Sequence, residues 1–284
     1  ANDAATPIQM YIQGDVTGVG TYDWVSYNAN ATVNLSGTNG VKTVTVIFRD
    51  SLGNTSSASG STRLDTAPPT GTLSINQAPR TNNPAITLVL TENGDLSTPI
   101  QMTFLGDVQD VNGTDGVGEW IAYGNSHAIT LNSVLDGLKT VQVRYRDSLG
   151  NANATFAAQA SITLDRAGPT GTITIDQAPR TANLSITLTL NATDGSTPMQ
   201  MIFTGDVTNG SPTDGIGEWI AYNGTHGLAL NGASDGLKTV QVQYRDNLGN
   251  TSILYNASIA LDRTGPTPPT VIILGSDPTA SIGI

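Results

Sequence analysis

Apolar and polar positions alternate with a period of two along most of the chain. Val141, Val143 and Tyr145 fall on one side of a run, with Gln142 and Arg144 on the other. Ile100, Met102 and Phe104 alternate with Gln101 and Thr103, and Ile186, Leu188 and Leu190 with Thr187 and Thr189. This is the period of a pleated strand, whose successive side chains leave opposite faces. Clusters of Gly, Asn, Asp and Pro punctuate the runs, as turns require. Between residues 70 and 168 the pattern predicts strands near 72–76, 85–91, 99–105, 119–123, 127–132, 139–146 and 158–165.

The same runs return. "TPIQMYIQGDV" (6–16), "TPIQMTFLGDV" (98–108) and "TPMQMIFTGDV" (197–207) align, as do "GVKTVTVIFRDSLGN" (40–54), "GLKTVQVRYRDSLGN" (137–151) and "GLKTVQVQYRDNLGN" (236–250). The period is roughly 100 residues. Seven short alternating strands in such a unit indicate an all-β fold, an antiparallel β-sandwich of immunoglobulin type. The expected organisation is an incomplete domain over 1–69, domains over 70–168 and 169–266, and a tail over 267–284. The linkers "DTAPPT", "DRAGPT" and "DRTGPTPPT" carry Pro, which fixes φ and stiffens the connection, so the tandem domains are expected to stack as a rod.

Composition fits this reading. Charged residues make up 12% of the chain and aromatics 5%, with 31 Gly. The formal net charge is −11, which argues against nucleic acid, whose phosphates need a basic face, and against anionic membrane surfaces. There is no Cys, hence no disulfide, thiol nucleophile or thiolate metal site. No run of 18 apolar residues suggests membrane insertion. "ANDAATP" suits the start of a secreted protein whose signal has been removed.

No set of residues suggests catalysis. His127 and His226 occupy equivalent repeat positions without a nucleophile motif, and are expected as strand-edge residues. Asp107 and Glu119 recur as Asp206 and Glu218, and an active site repeated in every unit is not expected of an enzyme. Trp24, Trp120 and Trp219 recur in register, as do Phe48, Tyr145 and Tyr244; core packing is the expectation for both sets. Lys42, Lys139 and Lys238 each open a strand and are expected to be solvated, with an isopeptide link to Asn or Asp as the alternative.

Asp50, Asp147 and Asp246 sit in "RDxLGN" turns, and Asp65, Asp165 and Asp262 close a last strand before each linker. Two readings stand side by side. Asp side chains bond their own backbone in turns, with Gly supplying positive φ; carboxylates are also the ligands calcium prefers. The segment "DVQDVNGTDGVGE" (107–119) has some look of a calcium loop, but "DVTNGSPTDGIGE" and "DVTGVGTYD" do not keep its ligand pattern. Asn-X-Ser/Thr sequons occur at Asn30, Asn34, Asn54, Asn112, Asn153, Asn183, Asn191, Asn209, Asn223, Asn250 and Asn256. These eleven exceed the roughly five that chance gives at this composition, and predict N-linked glycans. Pro212 makes Asn209 the poorer acceptor.

"YRDSLGN" followed by "ITLDRAGPT" resembles the tandem immunoglobulin-like repeats of large bacterial and archaeal surface proteins, over nearly the whole chain. The resemblance implies an extracellular or cell-surface location, an adhesive or filamentous role, and calcium at domain junctions. It does not assign function, which belongs to sites and not to folds.

The phase of the repeats points to a joint. Residues 70–97 open the second unit, and nothing ahead of "TPIQM" in the first unit matches them. A sandwich without its first strands exposes an apolar groove and open backbone edges. "TVIILGSDPTASIGI" aligns in outline with those opening strands, and its run Val271-Ile272-Ile273-Leu274 suits a strand buried on both faces. The expectation is a homopolymer of identical subunits, each donating its C-terminal strand to the incomplete first domain of the next. Val271, Ile272, Ile273, Leu274, Ile282 and Ile284 would meet Ile8, Met10 and Ile12. The alternatives are a stalk fragment of a large repetitive adhesin, and a carbohydrate-binding or enzymatic accessory module.

Overall fold

The computed structural model describes residues 4–18 and 21–272. The first repeat contributes β1 (Gln9–Gly14), β2 (Val16–Thr17), β3 (Trp24–Ser26), β4 (Asn34–Leu35), β5 (Gly40–Arg49) and β6 (Thr55–Leu64). The second contributes β7 (Gly71–Ile75), β8 (Arg80–Thr81), β9 (Ala85–Glu92), β10 (Gln101–Gly106), β11 (Val108–Gln109), β12 (Ile121–Ala122), β13 (Ser126–Leu131), β14 (Gly137–Arg146) and β15 (Ala158–Leu164). The third contributes β16 (Thr170–Ile175), β17 (Arg180–Thr181), β18 (Ser185–Thr193), β19 (Gln200–Gly205), β20 (Ile220–Ala221), β21 (Thr225–Ala229), β22 (Gly236–Arg245) and β23 (Tyr255–Leu261). The protein is all-β. Each of the seven strands expected in the second repeat has a counterpart, and β8 and β11 are additional.

The chain divides into two compact units, Ala1–Asp165 and Arg166–Ile284. In the first unit, the sheet β12-β10-β14-β15-β8 and the sheet β11-β13-β9-β7 enclose one apolar cluster. Val141, Val143 and Tyr145 from one sheet and Leu88 and Leu131 from the other are all 0% exposed. Strands pair antiparallel except at Thr163↔Arg80 and Leu164↔Thr81, where β8 runs parallel to β15. This is the immunoglobulin-type sandwich: inner faces interdigitate, outer faces carry Thr, Ser and Gln. The second unit repeats the plan with β17-β23-β22-β19-β20 over β16-β18-β21 around Val240, Val242 and Tyr244.

One device ends the same strand in every repeat. Gly14, Gly106 and Gly205 have φ of 110°, 97° and 100°. A Cβ on Gly106 would stand 2.3 Å from the Thr140 carbonyl oxygen, so only Gly permits the turn. The Asp that follows locks it: Asp107 N–H donates to Thr140 O at 2.8 Å, and Thr140 N–H donates to Asp107 Oδ2 at 2.9 Å. Asp107 and Asp206 therefore serve the backbone.

The first repeat is built differently. Among the described residues its sheet β3-β1-β5-β6 is accompanied only by the short pair β2-β4. Among the described residues no strand corresponds to β7 or β9, which in the second repeat supply Leu73, Ile75, Ile86, Leu88 and Leu90 to the core.

Candidate functional site

The inner face of β5 should be as buried as that of β14, since the two align residue for residue. Val141, Val143 and Tyr145 are fully buried, but Val44, Val46 and Phe48 are only half-buried. They line an open apolar groove of about 250 Å³ with Met10, Ile12 and Tyr27. Met10 and Ile12 are themselves buried and form the small core with Val16. Ile8 is half-buried, and its carbonyl accepts the Tyr27 N–H at 3.0 Å. Of the expected donor residues, Val271 and Ile272 are 80% and 71% exposed. Ile273, Leu274, Ile282 and Ile284 lie outside the described residues.

The strand next to β5 carries little apolar bulk. In register, Ala58 and Gly60 of β6 lie opposite Val46 and Val44. A Cβ built on Gly60 meets nothing within 4 Å. In the second repeat Ala158 and Ala160 hold the corresponding places, opposite Val143 and Val141, and Ile162 stands where the first repeat has Thr62.

The acidic residues divide into two roles. Asp50, Asp147 and Asp246 each accept, on Oδ1, the backbone N–H groups two and four residues on, at 2.8–2.9 Å. Oδ2 of each accepts an Asn side-chain amide. For Asp50, the Asn54 amide foremost holds the carboxyl below the usual carboxylate range. This is turn chemistry, as one of the two readings anticipates. Asp65 is buried and ties the linker down: Oδ1 accepts from Asn39 Nδ2 and Ala67 N–H, and Oδ2 from Ser97 Oγ. Asp165 and Asp262 salt-bridge with Arg80 and Arg180 at 3.5 and 3.4 Å.

Asp65 and Asp147 come together with Asp95, which the sequence pattern does not single out. One oxygen from each lies within 4.8 Å of the others. That spacing suits a hard cation, because oxygens on opposite sides of a calcium ion at about 2.4 Å stand about 4.8 Å apart. Every carboxylate of the three also accepts protein hydrogen bonds. Burial, offset by a Ser97 N–H and reinforced by the charges of Asp65, Asp147 and Glu92, raises the Asp95 carboxyl above its ordinary range. Folding therefore favours the protonated form. Its stability contribution is present below the ordinary carboxylate range and is lost as pH rises through the raised value. Asp95→Asn is expected to raise the thermal midpoint by a few degrees at about pH 7 and by less at about pH 4. A thermal melt at both pH values checks it. A lowered midpoint at neutral pH would show that a cation, not repulsion, governs the cluster.

The loop 107–119 satisfies itself. Asp115 accepts the N–H groups of Val111 and Val117, Asp110 those of Asn112 and Gly113, and Glu119 that of Gly116. His127 is half-buried against Phe104, with ring centroids 5.1 Å apart. Its Nε2 donates to Asp115 O at 2.8 Å and pins the loop. His226 repeats this on Phe203 and Asp214 O.

Two expectations fail. Trp24, Trp120 and Trp219 are not core residues. They are half-buried on the outer face, under Arg49, Arg146 and Arg245, whose guanidinium carbons lie 4.1, 4.6 and 4.3 Å from the ring centroids. Gln9, Gln101 and Gln200 hold those Arg side chains in place. Lys42, Lys139 and Lys238 are not solvated: they are 6%, 8% and 6% exposed. Alternation puts them on the inner face with the Val residues, and their aliphatic stems cover the end of each core. Phe48 lines the groove, while Tyr145 and Tyr244 are core as expected. Burial raises both tyrosine hydroxyls above their ordinary range. Tyr244 donates to Thr172 O at 2.9 Å, while the Tyr145 hydroxyl has no partner among the described residues.

The sequons are unequal. Asn153 is structural: Oδ1 accepts Tyr145 N–H at 2.7 Å and Nδ2 donates to Pro69 O at 3.0 Å. Asn54 and Asn250 donate Nδ2 to the Asp of their turn, and Asn209 to Ile216 O. Asn30, Asn34, Asn112, Asn183, Asn191, Asn223 and Asn256 are exposed.

No family model matches the chain, and no curated protein matches it. Among solved structures it is similar to a tetra-tandem repeat in the extending region of a large adhesion protein, at 20% identity and a TM-score of 0.31, over 90% of this chain and 66% of that one. It is similar to the D00-D0 domain of intimin at 15% and 0.30, over 68% and 99%. Fibronectin(III)-like modules of Clostridium thermocellum CbhA give 13% and 0.29, over 66% and 93%.

Proposed function

We propose that the chain is a structural, non-enzymatic subunit of an extracellular filament at the cell surface. Subunits join head to tail: residues 267–284 of one copy enter the open groove of the first repeat of the next. The observation that carries this reading is the half-exposure of Val44, Val46 and Phe48 where their counterparts Val141, Val143 and Tyr145 are fully buried. Apolar residues aimed inward and left half-exposed call for an apolar strand. The tail has the composition for it, with four consecutive aliphatic residues at 271–274. Joining unlike surfaces is heterologous and produces an open polymer unless the rotation closes a ring. N-linked glycans on the exposed sequons Asn30, Asn34, Asn112, Asn183, Asn191, Asn223 and Asn256 would coat such a filament.

A second reading shares the same groove. In a stalk segment of a longer surface adhesin, residues preceding residue 1 would fill it from the same chain. Deleting 270–284 separates the two. The full chain is expected to form filaments under the electron microscope, and the shortened chain none, with both showing the same upper melting transition. Filaments from the shortened chain would overturn strand donation. A full chain that stays monomeric at all concentrations would favour the stalk.

A further inference from the structure

A separate interaction surface lies along the outer edge of β6. Among the described residues β6 is the edge of its sheet, paired only with β5, and that pairing runs without a bulge from Gly40↔Leu64 to Arg49↔Thr55. Residues 55–63 are all exposed. An antiparallel strand paired on one side turns half its N–H and C=O groups outward. Edges are normally blunted by charge, Pro, bulges or shortness. β6 is ten residues long, "TSSASGSTRL", and Arg63 is its one charge.

The other repeats protect the corresponding edge. β15 and β23 are seven residues long. Ahead of β15 the chain leaves the ladder, and the Asn153 side chain takes the Tyr145 N–H. Ser252 does the same for Tyr244. β23 also carries the sequon Asn256. The groove's occupant would lie over the inner face of β6, as β7 lies over β15, and leave its edge open. In the second repeat the corresponding segment, β8, reaches only Thr163 and Leu164, so a like segment would cover Arg63 and Leu64 and leave 55–62 open.

We infer that β6 is a strand-pairing site for β6 of a second copy, joined antiparallel about a two-fold axis near Ser59. Copies with a net charge of −11 repel, and β6 is a strip with no acidic residue through which they can approach. Antiparallel pairing sets the two Arg63 side chains at opposite ends of the strip; parallel pairing would put them side by side. Ser57, Ser59 and Ser61 share the outer face, where Ser59 and Ser61 meet the Thr45 and Thr43 hydroxyls at 2.9 and 3.2 Å. Pairing Ser59 with Ser59 continues that hydroxyl row across both sheets. This contact is isologous and pairs two chains side by side, independently of any head-to-tail joint.

The absence of Cys gives a clean test on the full chain. In Ser59→Cys the two Cα atoms would stand about 5 Å apart, within disulfide reach. In Thr55→Cys and Arg63→Cys each thiol would be roughly 26 Å from its own copy in the partner. Under mild oxidation, denaturing gels are expected to show Ser59→Cys dimers forming at least about tenfold faster than dimers of either end variant. Adding Ser57→Lys and Ser61→Lys to Ser59→Cys is expected to remove that advantage. Equal rates at all three positions, or an advantage that survives the lysines, overturns the proposal. The gel reads the cross-link whether or not filaments form, so filament loss and dimer loss are scored separately.

Discussion

Val44→Asp is expected to leave the chain folded and abolish its head-to-tail assembly, whereas Val141→Asp, one repeat on, unfolds the second repeat. The two valines hold the same place in β5 and β14. Val141 is 0% exposed among Leu88, Leu131 and Ile162. A carboxylate there must shed its water with no partner or take up a proton, at a cost of roughly 4 kcal/mol or more. That is a large share of a domain stability of about 5–15 kcal/mol. Val44 lines the groove and is half-buried, so an Asp there keeps its hydration until another segment tries to cover it. The penalty then falls on assembly. Circular dichroism melts and electron microscopy read the two outcomes. Unimpaired filaments from Val44→Asp would remove the groove from the joint, and a wild-type melt for Val141→Asp would contradict its burial.

That contrast also marks what alternation along a chain can reveal. The long strands and the three repeats are plain in the sequence, because the period of two persists and Gly, Asn and Asp interrupt it cleanly. β8 and β11 are two residues each, too short to carry a period. The lysines were open to a correct reading: Lys139 is two residues before Val141, and so on the same face, but its charge suggests solvent. The tryptophans mislead in the opposite sense, since size suggests the core. Their partners were visible, because Arg49, Arg146 and Arg245 recur with them and point outward by alternation. The gathering of Asp95 with Asp65 and Asp147 had no sequence signal, as three separate turns bring them together. The vacant place in the first repeat was legible only by phase, through the lack of a match to residues 70–97. The structure adds that the residues facing that place are apolar and only half-buried.

Fusing a second copy of residues 267–284 ahead of Ala1, through a short Gly/Ser linker, is expected to convert the filament subunit into a stable monomer. In the second repeat the opening strands lead directly toward β10, so a segment placed ahead of residue 1 enters the first repeat in the same chain order. Covering Val44, Val46 and Phe48 completes a burial that is worth about 1.5–3 kcal/mol per side chain when it runs from fully exposed to fully buried. Because these three are already half-covered, each gains part of that. The linker holds the donor at an effective concentration in the millimolar range, above what free copies reach in dilute solution, so the intramolecular strand outcompetes the tail of a neighbour. The first repeat should then melt several degrees higher, and light scattering should find single chains where the parent chain polymerises. Because the fused chain keeps its own C-terminal residues, a tail is still present in every molecule, and only the acceptor has been filled. Loss of assembly would therefore locate the joint in the groove and not in the mere presence of a sticky end. Continued polymerisation with an unchanged melt would mean that 267–284 does not fit the first repeat, leaving its apolar face to a different segment.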